Sequence, residues 1–179
     1  MGYEVEWVEL PEAAGWARSR WEDCTGSGLV CDHEPRCAES YVSLAEPFRF
    51  CLNVAGMAVC RDGMRRAAMS YRAERQPFPD WPFEGAEDWR SASRARRDAY
   101  RAAERAAAAQ TVPGGVGVPE FKLSSNGPWI VGPQEIAGAL GRYAVAPAGL
   151  RAELEAAEVW RDWLGWLRET VTRGGFTVG

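Results

Sequence analysis

Polar and apolar residues alternate at the start of the chain: Tyr3, Val5 and Trp7 are separated by Glu4 and Glu6. A period of two is that of a half-buried strand. Pro11 then opens a short helical stretch, EAAGWARSRW. Further apolar runs predict strands over 41–44, 48–54 and 57–60, the last two joined by a tight turn at Ala55-Gly56. A helix is predicted over 61–75, and PFPDWPF (77–83) ends it, its prolines favouring an extended path that the aromatics pin down. Residues 87–110 are rich in Ala and Arg without an internal Gly or Pro, and predict one long helix. VPGGVGVP (112–119) breaks it. A hairpin is expected from strands 121–123 and 129–131 around the turn at Ser124–Gly127. Pro133 suits the first turn of a helix with Ile136, Leu140 and Tyr143 on one face. A final helix over 148–172 and a short strand, FTV, complete the chain.

The fold class that follows is α+β, in three parts. A small zinc-bearing β-hairpin and helix lobe occupies 1–76. An extended linker, an Arg-faced connecting helix and a Gly/Pro hinge fill 77–119, and a C-terminal hairpin–helix–helix lobe fills 120–179. A length of 179 residues, 46% hydrophobic with nine Trp, is enough to bury a real core. No apolar run approaches the roughly 20 residues of a membrane span, and the acidic start is no signal peptide, so no membrane partner and a cytoplasmic location are expected.

Charge adds one feature. The cations are 20 Arg and the single Lys122, for a net charge of −4. Residues 1–60 carry −6, 61–110 carry +3 and 111–179 carry −1. The overall balance does not favour general nucleic-acid binding, but the basic middle contains a stripe. Arg90, Arg94, Arg97, Arg101 and Arg105 follow helical steps and fall within an arc of roughly 80°. They are candidate contacts for phosphates or an acidic partner. Asp98 and Glu104 lie within reach of several of them, as on an ordinary solvated face.

The cysteines carry the candidate metal chemistry. Cys31 and Cys37 flank His33, the only histidine, and Cys51 and Cys60 follow within 30 residues. Zinc takes four soft or borderline ligands in a tetrahedron, usually thiolates and imidazole. In the expected hairpin a two-residue turn sets Cys51 opposite Cys60, while a three-residue turn separates them. Knuckle, hairpin and helix over 29–75 resemble a treble-clef zinc module. That resemblance implies a structural zinc held by Cys31, Cys37, Cys60 and either Cys51 or His33. The family's usual ligand one turn into the helix falls here on Gly63, which cannot bind metal. The bland alternative is that Cys51 and Cys60 are small core hydrophobes and the others loop thiols.

The final helix carries two apolar sides. Leu150, Leu154, Trp160, Leu164, Leu167 and Val171 form one stripe, and Val159, Trp163 and Trp166 fall on the other side. A surface helix needs one such face. Either this helix is sandwiched, or Val159, Trp163 and Trp166 contact a partner.

The sequence SSNGPWIVGPQEIAGAL followed by WRDWLGWLRETVTRGGFTV, within 121–179, resembles small uncharacterised proteins encoded by actinobacterial phages. Those show an SND-G-W turn, a V-T-P-x-E-I helix start and a Trp-containing helix ending in GGF. This chain departs from them at Asn126-Gly127-Pro128-Trp129, which lacks the Asp and inserts a proline. The resemblance implies a phage origin more than an activity, and with it either an accessory factor that binds a host or phage protein in the host cytoplasm or a minor structural piece. There is no P-loop, GxGxxG, GxSxG or HExxH, and the one histidine sits in the cysteine cluster. The expectation is therefore a non-enzymatic protein-binding factor. Its rivals are a nucleic-acid binder using the arginine stripe and an enzyme with an unrecognised carboxylate site. The oligomeric state is not legible.

Overall fold

The computed structural model describes residues 2–7, 49–124 and 127–178. They mix helix and strand in an α+β arrangement. Strand β1 (Gly2–Trp7) pairs antiparallel with β2 (Arg49–Asn53), and helix α1 (Val54–Arg66) follows β2 without a turn. Then come β3 (Ser70–Tyr71), α2 (Ala86–Ser91) and α3 (Arg94–Ala108). Strand β4 (Val118–Pro119) leads into a 3-10 turn, Glu120–Lys122, and then β5 (Trp129–Val131). Helices α4 (Pro133–Val145), α5 (Ala148–Glu155) and α6 (Glu158–Thr170) precede β6 (Phe176–Val178).

The main sheet is antiparallel in the order β2-β1-β6-β5, and β3 pairs in parallel with β4. Val5 faces Phe50 on one side and Val178 on the other, and Phe176 faces Val131. Both ends of the chain thus share one sheet, so its parts are not sequential. The described residues of 1–8, 49–76 and 109–179 form one compact unit, and 77–108 belong to a second.

In the first unit Val5, Leu52, Trp129, Val131, Phe176 and Val178 are buried on the sheet. Met57, Cys60 and Met64 of α1 and Trp160, Trp163, Leu164 and Leu167 of α6 are buried with them. Gly63 brings α1 close to α6, since a Cβ there would collide with the Trp160 ring. Gly175 turns the chain into β6 with φ of 93°, and its N–H bonds back to the Thr170 carbonyl at 2.9 Å. It closes against the Val131 carbonyl, where a side chain would clash.

Five expectations are corrected. No strand forms over 57–60. Instead Asn53 caps α1, its Oδ1 accepting from the Gly56 N–H at 2.7 Å, so Ala55-Gly56 is the first helical turn and not a hairpin loop. The helix ends at Arg66, not at 75. The helix expected over 87–110 is broken: Ala92 is extended, with ψ of 146°. Ser93 restarts it by accepting from the Arg96 N–H at 3.3 Å, a serine competing with the backbone ladder. Residues 121–123 do not pair with β5, which pairs with β6 instead. The final helix is interrupted at Ala157, extended with ψ of 126°. Strands β1 and β6 and helix α4, with Pro133 in its first turn, lie where alternation and capping placed them.

Candidate functional site

The second unit contains a cluster of four aromatic rings built from PFPDWPF and the two short helices after it. Phe83 and Trp89 are buried, 5% and 3% exposed, and meet edge to face at 4.9 Å. Tyr100 of α3 stands edge-on to both. Trp81 lies outermost. It stacks on Trp89 at 5.3 Å, meets Tyr100 edge-on at 5.1 Å and stays 44% exposed. Such rings are rigid, so Trp81 is presented in one orientation with little freedom to lose on contact.

Arginines frame the cluster. The Arg96 guanidinium lies 4.6 Å from the Phe83 ring centre, and its Nη2 donates to the Pro82 carbonyl at 2.6 Å. Its Nη1 donates to Asp88 at 3.3 Å, and the other Asp88 oxygen accepts from the Glu84 N–H at 3.1 Å. Arg101 and Arg97 stand 5.2 and 6.0 Å from the Trp89 ring. These are cation–π distances, and they hold the guanidiniums in place.

The arginine stripe is only partly assembled. The break at Ala92–Ser93 puts Arg90 on α2, whereas Arg94, Arg97, Arg101 and Arg105 share α3. Arg90, Arg94 and Arg105 are exposed, and Arg97 and Arg101 are half-buried. Arg94 pairs with Asp98 at 3.5 Å. Ala95, Ala99 and Ala106, on the side of the helix away from the stripe, are exposed as well.

The tryptophans of α6 lie elsewhere. Trp163 is fully buried, 6.0 Å from the Phe50 ring and 5.7 Å from Phe176, and its Nε1 donates to the Met64 sulfur at 3.4 Å. Trp166, 7% exposed, stacks on Phe50 at 5.7 Å. Val159 is half-buried beside Gly56 of α1. The second apolar side of α6 is therefore covered by the sheet and α1, while Trp160 on its first side meets α1 and α4. Trp163 and Trp166 do not form an exposed face.

Cys31, His33 and Cys37 lie outside the described residues. Cys51 and Cys60 are not set opposite each other: Cys51 faces Glu4 in the sheet register, and Cys60 is on α1. Cys51 is exposed, while its neighbours Leu52 and Phe50 turn inward. Cys60 is fully buried, its Sγ 4.0 Å from the Val159 carbonyl. Among the described residues no group of three or more His, Cys, Asp or Glu is placed to hold a metal ion.

Burial pushes the Cys60 thiol up to about 12. An unfolded thiol titrates near 8.5, so above that pH the unfolded chain gives up a proton that the folded chain keeps. The stability that this group contributes is fully present below about pH 8.5. It is lost as pH rises towards 12, at up to about 1.4 kcal/mol per pH unit. Urea unfolding at pH 8 and pH 10.5 should show a smaller alkaline loss in Cys60→Ala than in the parent. Equal losses would contradict a buried, protonated thiol.

Lys122 is the lone lysine of the sequence. It is completely buried, and its Nζ donates to both Glu135 oxygens at 2.8 Å and to the Ile130 carbonyl at 2.7 Å. Glu135 also accepts from the Gly132 N–H at 2.9 Å. Burial holds the Lys122 ammonium below its ordinary range, against the opposing pull of Glu135. Three donors meet three acceptors, so this is a lock between the 3-10 turn, β5 and α4.

No helix among the described residues is long and apolar enough to cross a membrane. Comparison with protein-family models, curated proteins and solved structures finds no match.

Proposed function

We propose that this chain is a non-enzymatic, phage-type accessory protein that docks a host or phage protein in the host cytoplasm, and that it does so through Trp81. One observation carries the choice of surface: a half-exposed tryptophan is held rigidly on a buried aromatic base and framed by arginines. Tryptophan and arginine dominate the energetics of protein interfaces, because they bury much area at little conformational cost. The α6 tryptophans, first candidates for this role, are already used by the core.

Affinity capture from host lysate, with and without nuclease, tests this. A partner retained after nuclease should be lost in Trp81→Ala, which removes only the outermost ring of the cluster. A partner held equally by Trp81→Ala would overturn the surface. Capture of nucleic acid alone, weakening steeply with salt, would favour phosphate contacts by the arginines instead.

A further inference from the structure

We infer, resting on the docking surface just proposed, that its occupant is a short acidic protein segment next to an apolar anchor. The charge along 77–108 is segregated. Residues 77–89 hold four carboxylates and no cation, and 90–108 hold six arginines against two carboxylates. The aromatic cluster joins the two parts, because Trp81, Phe83 and Trp89 come from the acidic side and Tyr100 from the basic one.

This division selects the size of the partner. Arg94 and Arg105 are eleven residues apart on one helix, so the basic face runs about 16 Å. An extended peptide covers that in about five residues. The exposed carboxylates of Asp80, Glu84 and Glu87, on the segment that carries Trp81, would repel a longer polyanion such as a nucleic-acid strand. Carboxylates on the segment meet exposed guanidiniums, and an adjacent apolar side chain lies on the open face of Trp81.

Fluorescence anisotropy with the full chain tests the chemistry. The probes are a labelled peptide of five glutamates followed by two leucines, the same peptide with glutamines, and a single-stranded oligonucleotide of twenty bases. The glutamate peptide should bind at least tenfold more tightly than the glutamine peptide and more tightly than the oligonucleotide. The triple variant Arg90→Gln/Arg94→Gln/Arg105→Gln alters only exposed side chains and should lose that preference at an unchanged melting temperature. Equal binding of the two peptides, or tighter binding of the oligonucleotide, would overturn the inference. If the glutamate peptide fails to bind while Trp81-dependent capture of a protein persists, the acidic chemistry falls and the docking surface stands. Loss of Trp81 dependence in capture would remove the docking surface itself.

Discussion

Lys122→Met should lose about 3–5 kcal/mol of folding free energy, the cost of leaving one member of a buried ion pair alone. Lys122 is 0% exposed and Glu135 is 8% exposed, so water cannot replace the missing ammonium. The methionine also leaves the Ile130 carbonyl without its Nζ donor. Arginine is no substitute, because its planar fork is larger and cannot place three donors around one point. The double variant Lys122→Met/Glu135→Leu should recover most of the loss, since an apolar pair of similar volume restores packing without a stranded charge. It still gives up the bonds from Gly132 N–H to Glu135 and from Nζ to the Ile130 carbonyl, about 1 kcal/mol each. Urea unfolding of the three proteins reads this directly. A single variant within about 1 kcal/mol of the parent would show that the lock adds little.

Trp163→Ala should cost about 3–5 kcal/mol as well, by a different route. Trp163 is fully buried against Phe50, Phe176 and the Met64 sulfur, which belong to β2, β6 and α1. Removing it opens a cavity where the sheet meets the helices, and rigid neighbours collapse into such a space only in part. The variant should melt well below the parent and lose near-ultraviolet dichroism from the packed rings. An unchanged melting temperature would mean that this indole is a surface group.

These two sites mark what could be read along the chain. The two apolar sides of α6 were legible, because helical spacing separates Leu164 and Leu167 from Trp163 and Trp166. What covers the second side was not, since Phe50 and Phe176 come from strands more than a hundred residues apart in sequence. Strand β1 was legible by alternation, but its pairing with the C-terminal strand is a long-range choice that no local pattern encodes. Val54, Met57 and Val59 read as a strand because apolar and β-branched residues suit one. The Asn53 cap and burial of Met57, Cys60 and Met64 on one face made the segment a helix. The break in the arginine-rich helix was signalled by Ser91 and Ser93, whose side chains compete for backbone groups, but high local helix propensity hid it.

The proposed docking site was legible in composition only. PFPDWPF announced aromatics held by prolines, but the sequence did not distinguish buried Phe83 from half-exposed Trp81. The arginine stripe was visible as spacing, and four of its members do share a helix. That two of those guanidiniums stand over Trp89 depends on how α2 and α3 meet. Lys122 had a faint signal of its own: a chain that uses arginine everywhere else has one site suited to a compact ammonium.

The most direct test of the proposed contact surface is the partner affinity of Trp81→Ala and Trp163→Ala, each measured beside its melting temperature. Trp81→Ala is expected to melt within a few degrees of the parent and to bind at least tenfold more weakly. Trp163→Ala is expected to melt far lower, yet to bind normally at temperatures where it is still folded. Undiminished binding by folded Trp81→Ala, with binding lost in folded Trp163→Ala, would place the contact surface on the last helix and contradict the proposal.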